Sequence, residues 1–155
     1  MKMRLFIAGL AIFLSHPGSL FCNTSETKVC KAIEVLIGSP NSSAARRAGR
    51  FILKFAGTTP DYHIQISLCY LPWAASPKLP EGSQMLLVAF VAGNLQEQIR
   101  KNSSQPEPYA GSLAVIEVYQ KMLRERPGFK IPKVEDFIAM KNQGVLRAHI
   151  ESLKP

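Results

Sequence analysis

Apolar residues recur at helical spacing along most of this chain, with polar loops between the runs. Val29, Ile33, Leu36 and Ile37 share one helix face, after the capping candidates Thr24 and Ser25. Ala44, Ala48, Phe51, Ile52 and Phe55 mark a second stripe, which Asn41 or Ser42 caps and Gly57 ends. Residues 85–92 are apolar all round, which predicts a core helix with no wet face, and Ser83 suits its start. That helix turns amphipathic at Leu95 and Ile99. Between the two parts Gly93 costs about 1 kcal/mol relative to alanine, and it suits close approach of a neighbouring helix. A long helix is predicted over 109–126, on Leu113, Ile116, Tyr119 and Leu123, widened by Val115, Val118 and Met122. Pro127-Gly128 stops it. Pro132 opens a shorter helix with Val134, Phe137 and Ile138 inward and Gly144 at its C-cap. Leu146, Ile150 and Leu153 define a last one over 145–153.

Residues 61–70 carry two conflicting signals. Tyr62, Ile64, Ile66, Leu68 and Tyr70 alternate with His63, Gln65, Ser67 and Cys69, which is strand spacing. Yet Thr59-Pro60-Asp61 reads as a helix opening: a cap, a proline at the first position, then an acid. No other segment alternates as well, and a lone strand has no partner for its backbone. A helix is therefore expected here, with an extended hairpin or a strand-mediated dimer as the alternative. Pro, Gly, Ser and Asn mark loops over 38–43, 74–83 and 102–108. The pattern predicts an all-α fold: a compact bundle of about six to seven short helices, with 61–70 as its one ambiguous piece.

The first residues follow a different logic. Lys2 and Arg4 precede a ten-residue apolar run over 5–14, broken by His16, Pro17 and Gly18. This is the order of a secretory signal peptide. The run falls short of the roughly 20 residues that span a bilayer. Residues 1–22 are thus expected to be a leader, and 23–155 a single helical domain that is secreted or periplasmic and has no stable membrane span. Cleavage after Cys22 puts Leu20 and Cys22 at the two recognition places. A lipoprotein acylated at Cys22 is the alternative, with large Phe21 against it.

Processing changes the charge and the cysteine count. Without Lys2 and Arg4 the chain keeps 17 basic and 11 acidic residues, a net charge of +6. Such a balance suits an acidic partner surface. Cys30 and Cys69 become an even pair in an oxidising compartment, where a disulfide is expected. Closing that loop would stabilise the fold by roughly 4 kcal/mol in the chain-entropy model. Asn23, Asn41 and Asn102 each begin a glycosylation sequon within a polar stretch.

Candidate chemistry is sparse. Asp61, His63 and Cys69 form a conceivable catalytic set, but an exported chain is expected to spend Cys69 in a cystine. His149 and Glu151 do not share a helix face, and Glu135-Asp136 suit a helix start without further role. No glycine-rich phosphate loop, nucleophile elbow or His-Glu-x-x-His run occurs, and two cysteines without histidines at ligand spacing make no zinc site. No cofactor or metal is expected. The strongest signal is basic: Arg46, Arg47, Arg50 and Lys54, of which 46, 50 and 54 form one helical stripe. Aromatics interleaved with these cations would suggest nucleic acid, and Phe51 and Phe55 are assigned instead to the buried face. Tyr70-Leu71-Pro72-Trp73 is the second candidate. Exposed, Trp73 would anchor a partner; folded back, it would cap the open end of the bundle.

The layout of a leader, a small helical bundle and one cystine resembles periplasmic immunity proteins that protect against type VI secretion amidases. The resemblance is one of layout, and it assigns no residue a role. The expected function is a non-enzymatic, exported helical module that binds a protein partner, with Arg46, Arg47, Arg50, Lys54, Tyr70 and Trp73 as contact candidates. The alternative is a carrier of a lipid or other apolar ligand in the interior, between residues 85–92 and 113–123. A small hydrolase ranks third for want of a catalytic set.

Overall fold

Six α-helices and one 3₁₀ turn form among residues 24–153, the part of the chain that the structure, a computed structural model, describes. The expected leader, Cys22 and the sequon at Asn23 lie outside the described residues. In order the helices are α1 (Thr24–Gly38), α2 (Ser43–Thr58), α3 (Gln84–Lys101), α4 (Pro108–Glu125), α5 (Pro132–Asn142) and α6 (Leu146–Ser152). The described residues hold no strand. The all-α bundle predicted from periodicity is what forms, and none of these helices is long and apolar enough to cross a membrane.

α3 is the central rod, because its sequence gives it apolar surface on most sides. Leu86, Ala89, Phe90, Ala92 and Leu95 are fully buried, and α1, α2 and α4 all pack on it. Its closest neighbour is α4, and two glycines set that distance. A Cβ on Gly93 would lie 2.5 Å from the Ala110 carbonyl oxygen, and one on Gly111 would lie 2.7 Å from both the Phe90 ring and Asn94. The close approach that Gly93 suggests in the sequence is therefore realised against the α4 backbone. Asn94 Oδ1 accepts from the Glu107 N–H (2.6 Å), which ties the start of α4 to the middle of α3. Buried Val115, Ile116, Val118, Tyr119 and Met122 complete the core from the α4 side.

The structure corrects the sequence reading in two elements. Residues 61–70 form neither a helix nor a strand. They run irregularly from Tyr62 to Ser67 and turn at 68–70. The Thr59-Pro60-Asp61 opening fails because Tyr62 and Ile64 pack back onto the core, and the Gln98 side chain binds both backbone groups of His63. The second correction concerns α2. Its buried face is Ala45, Ala48, Gly49 and Ile52, rotated from the predicted stripe. These small residues let α2 sit close to α3, where a Cβ on Gly49 would lie 3.1 Å from Val88. Phe51 is thereby turned outward, and Phe55 is half-buried against Tyr62.

The chain then passes through the 3₁₀ turn Pro72–Ala75, opened by proline at its first position. Trp73 is buried there with its ring edge-on to Phe137 of α5, at 6.0 Å between centroids. Tyr70 stacks on Phe90. Further on, Gly144 takes a left-handed φ of +74°, which suits the α5–α6 turn and its predicted cap.

Candidate functional site

The outer face of α2 carries the strongest concentration of unbalanced charge in the described residues. Ser42 accepts from the Ala45 N–H (3.0 Å) and fixes where the helix begins. The helix contains Arg46, Arg47, Arg50 and Lys54 and no acidic residue, and all four are exposed. Among the described residues, none of them makes an ion pair. Arg46 reaches only the Asn41 carbonyl (3.3 Å), and Arg47 only the Ser43 hydroxyl (3.4 Å). Some cations elsewhere are paired with acids, while Lys28, Lys31, Lys78, Arg124, Lys130 and Lys141 make no ion pair among the described residues. Arg100 and Lys101 pair with Glu97, Lys121 with Glu117, Lys133 with Asp136, and Arg147 with Glu151.

Two apolar side chains sit among these cations. Phe51 is 40% exposed and Leu53 41%. Phe51 lies one helical turn from Arg47 and from Lys54, and beside Arg50. The face thus offers four strong donors around an aromatic and an aliphatic group. The sequence reading placed Phe51 inside, so it missed this part of the site. The signal was present in Ala45, Ala48 and Gly49, a small-residue face that competes with the larger one for the core.

The structure does not bring the second candidate to the surface. Tyr70 and Trp73 are buried, Trp73 to 2% exposure, and both serve the core. As partner contacts they are withdrawn, for an indole wedged against Phe137 presents no face to another molecule. The expected Cys30–Cys69 disulfide is not formed either; no disulfide occurs among the described residues. Cys30 lies half-buried on α1 and Cys69 exposed in the turn before the 3₁₀ segment. An even count does not place two Cβ atoms within the roughly 4 Å that a disulfide requires.

The remaining chemistry is dispersed. His63 is exposed and its backbone is held by Gln98, while His149 packs edge-on to Phe137. Among the described residues no group of three or more His, Cys, Asp or Glu side chains converges to hold a metal ion. Glu117 faces solvent beside Lys121. Asn41 is occupied: its amide donates to Glu125 (2.6 Å) and its oxygen accepts from Arg126 (3.2 Å). Asn102, by contrast, is exposed at the left-handed cap of α3.

Among the described residues, cavities open to the surface in at least three places. One, of about 600 Å³, lies where the starts of α2 and α3 meet the end of α4, and Arg46 and Arg126 line it opposite Glu81 and Glu125. A second, of about 830 Å³, runs over the α3–α4 contact, with Ile37, Leu113 and Ala114 in its wall. The third, about 500 Å³, is polar and lies by Tyr62 and Asn102. Leu86, Phe90, Val115, Ile116 and Tyr119 are fully buried where the carrier alternative places its ligand. The chain matches no protein-family model, no curated protein and no solved structure.

Proposed function

We propose that this protein is an exported, non-enzymatic helical module that binds an acidic protein partner through the outer face of α2. The observation that carries the reading is the set of four exposed cations that make no ion pair among the described residues, grouped around Phe51 and Leu53. Arg100, Lys101, Lys121, Lys133 and Arg147 each find an acid within their own helix. A face that leaves four cations unpaired is suited to carboxylates supplied by another molecule. Phe51 and Leu53 supply the apolar area that charge alone lacks, since aromatic and arginine side chains dominate binding energy at protein interfaces. Export rests on the leader pattern of residues 1–22.

The test is affinity isolation from the secreted or periplasmic fraction, with the partner identified by mass and its charge read from its sequence. The expected partner is acidic. Replacing Arg46, Arg50 and Lys54 with Ser is expected to lower its affinity by about tenfold or more, at roughly 0.5 kcal/mol or more per cation. Helix content should stay unchanged, because all three side chains are exposed. A basic partner, or capture indifferent to the triple substitution, overturns the assignment.

A further inference from the structure

A second surface lies on residues 62–68, which follow α2 and touch it through Tyr62 and Phe55. The chain passes from Tyr62 to Ser67 without turn or bend. The His63 N–H donates to Gln98 Oε1 (3.0 Å), and its C=O accepts from Gln98 Nε2 (2.9 Å). The side-chain amide of α3 thus takes the place of a neighbouring strand. N–H and C=O of one residue point to the same side when the chain is extended. In a fully extended chain alternate residues point alike, which would direct the backbone groups of Ile64 and Ile66 away from Gln98. They make no hydrogen bond to another described residue. Beside them stand the two most exposed large apolar side chains of the described residues, Ile66 at 57% and Leu68 at 61%.

Proteins normally blunt such an edge with lysine, proline or an inward charge. Here residues 62–67 contain no proline, and residues 62–77 contain no Asp, Glu, Lys or Arg, although 19% of the chain is charged. We infer that this edge pairs with the same edge of a second copy of the chain. Two molecules of net positive charge repel at the α2 face, and they meet without that cost along a neutral segment. An antiparallel strand laid on itself is two-fold symmetric, as a closed dimer requires. With Gln65 on the axis, Ile64 of one copy stands opposite Ile66 of the other. Each such pair exchanges two backbone hydrogen bonds, and the exposed Ile66 side chain packs beside Ile64 across the seam. The pairing does not depend on the function proposed above.

So short a ribbon buries less than the roughly 1,000 Å² of a firm interface, so dissociation in the range of ~10–100 µM is expected. The test is sedimentation velocity on the chain as isolated from cells, across that range. The wild type is expected to shift from monomer to dimer. Ile66→Lys, which sets a charge against Ile64 of the other copy, should leave it monomeric, and Val145→Lys, a lysine at an exposed site on the α5–α6 turn, should not. Amide exchange on the wild type gives a reading that needs no variant: the N–H groups of Ile64 and Ile66 should slow by about tenfold or more as the dimer fills. A wild type that stays monomeric overturns the inference. So does a dimer insensitive to Ile66→Lys, or exchange at these two amides that is independent of concentration.

Discussion

The Tyr119 hydroxyl is buried between two partners and joins α4 to the start of α5. It accepts from the Ile131 N–H (3.1 Å) and donates to Glu135 Oε1 (3.0 Å). Burial, acting first, pushes the phenol above its usual pKa, so it keeps its proton and remains a donor. Tyr119→Phe keeps the ring, its contact with Phe129 and the core volume. What it removes is the oxygen that satisfies a buried backbone N–H. An unsatisfied buried donor costs about 1–3 kcal/mol. Urea denaturation of the variant should show a loss of that size with an unchanged slope, since the area exposed on unfolding is the same. A variant as stable as the wild type would mean that Ile131 finds another acceptor.

At the scale of elements, the last turn of α3 is held by charge. Glu97 bonds Arg100 through both oxygens (2.7 Å each) and pairs with Lys101 (3.4 Å), which in turn reaches Glu107 across the α3–α4 loop (2.5 Å). The hydrogen bonds from Arg100 are the main reason that the Glu97 carboxyl falls from 4.5 to about 2. A carboxyl depressed by folding contributes stability above its unfolded pKa and loses that contribution as pH falls through the folded one. The expected window is therefore pH 4.5 down to about 2. The pair is exposed, so the effect is small and salt screens it. Thermal melts at low ionic strength should show the wild type losing its margin over Glu97→Gln within that window, and parallel curves would remove the assignment. Most elements were legible from periodicity because one face was clearly larger and greasier than the other, as over Val115–Met122 in α4. The core part of α3, residues 85–92, was legible because it is apolar all round. α2 was misread because two faces competed, and close packing through Ala45, Ala48 and Gly49 won over the burial of Phe51. Residues 61–70 were misread for a tertiary reason: the strand partner that the alternation lacked is supplied by the Gln98 side chain, which no local pattern reveals. The basic half of the candidate site was visible as sequence, and its apolar half was hidden by the same rotation of α2.

Over the whole molecule, charged and uncharged surfaces are segregated, and salt tells them apart. The α2 helix gathers four cations and no acid of its own, while residues 62–77 carry no formal charge. Attraction between an exposed basic face and an acidic partner weakens as the Debye length falls from about 10 Å at 0.1 M salt to about 3 Å at 1 M. Apolar burial and backbone pairing at a neutral edge are not screened in this way, and sulfate strengthens them by exclusion from the protein surface. The two proposed associations should therefore respond in opposite senses to one titration. Raising sodium sulfate should release the acidic partner from α2 and shift the self-association of Ile64–Ile66 toward dimer, read by capture and sedimentation on the same samples. Losses in parallel would mean that one electrostatic surface serves both events. The separation of a charged face from a neutral edge would then carry no function.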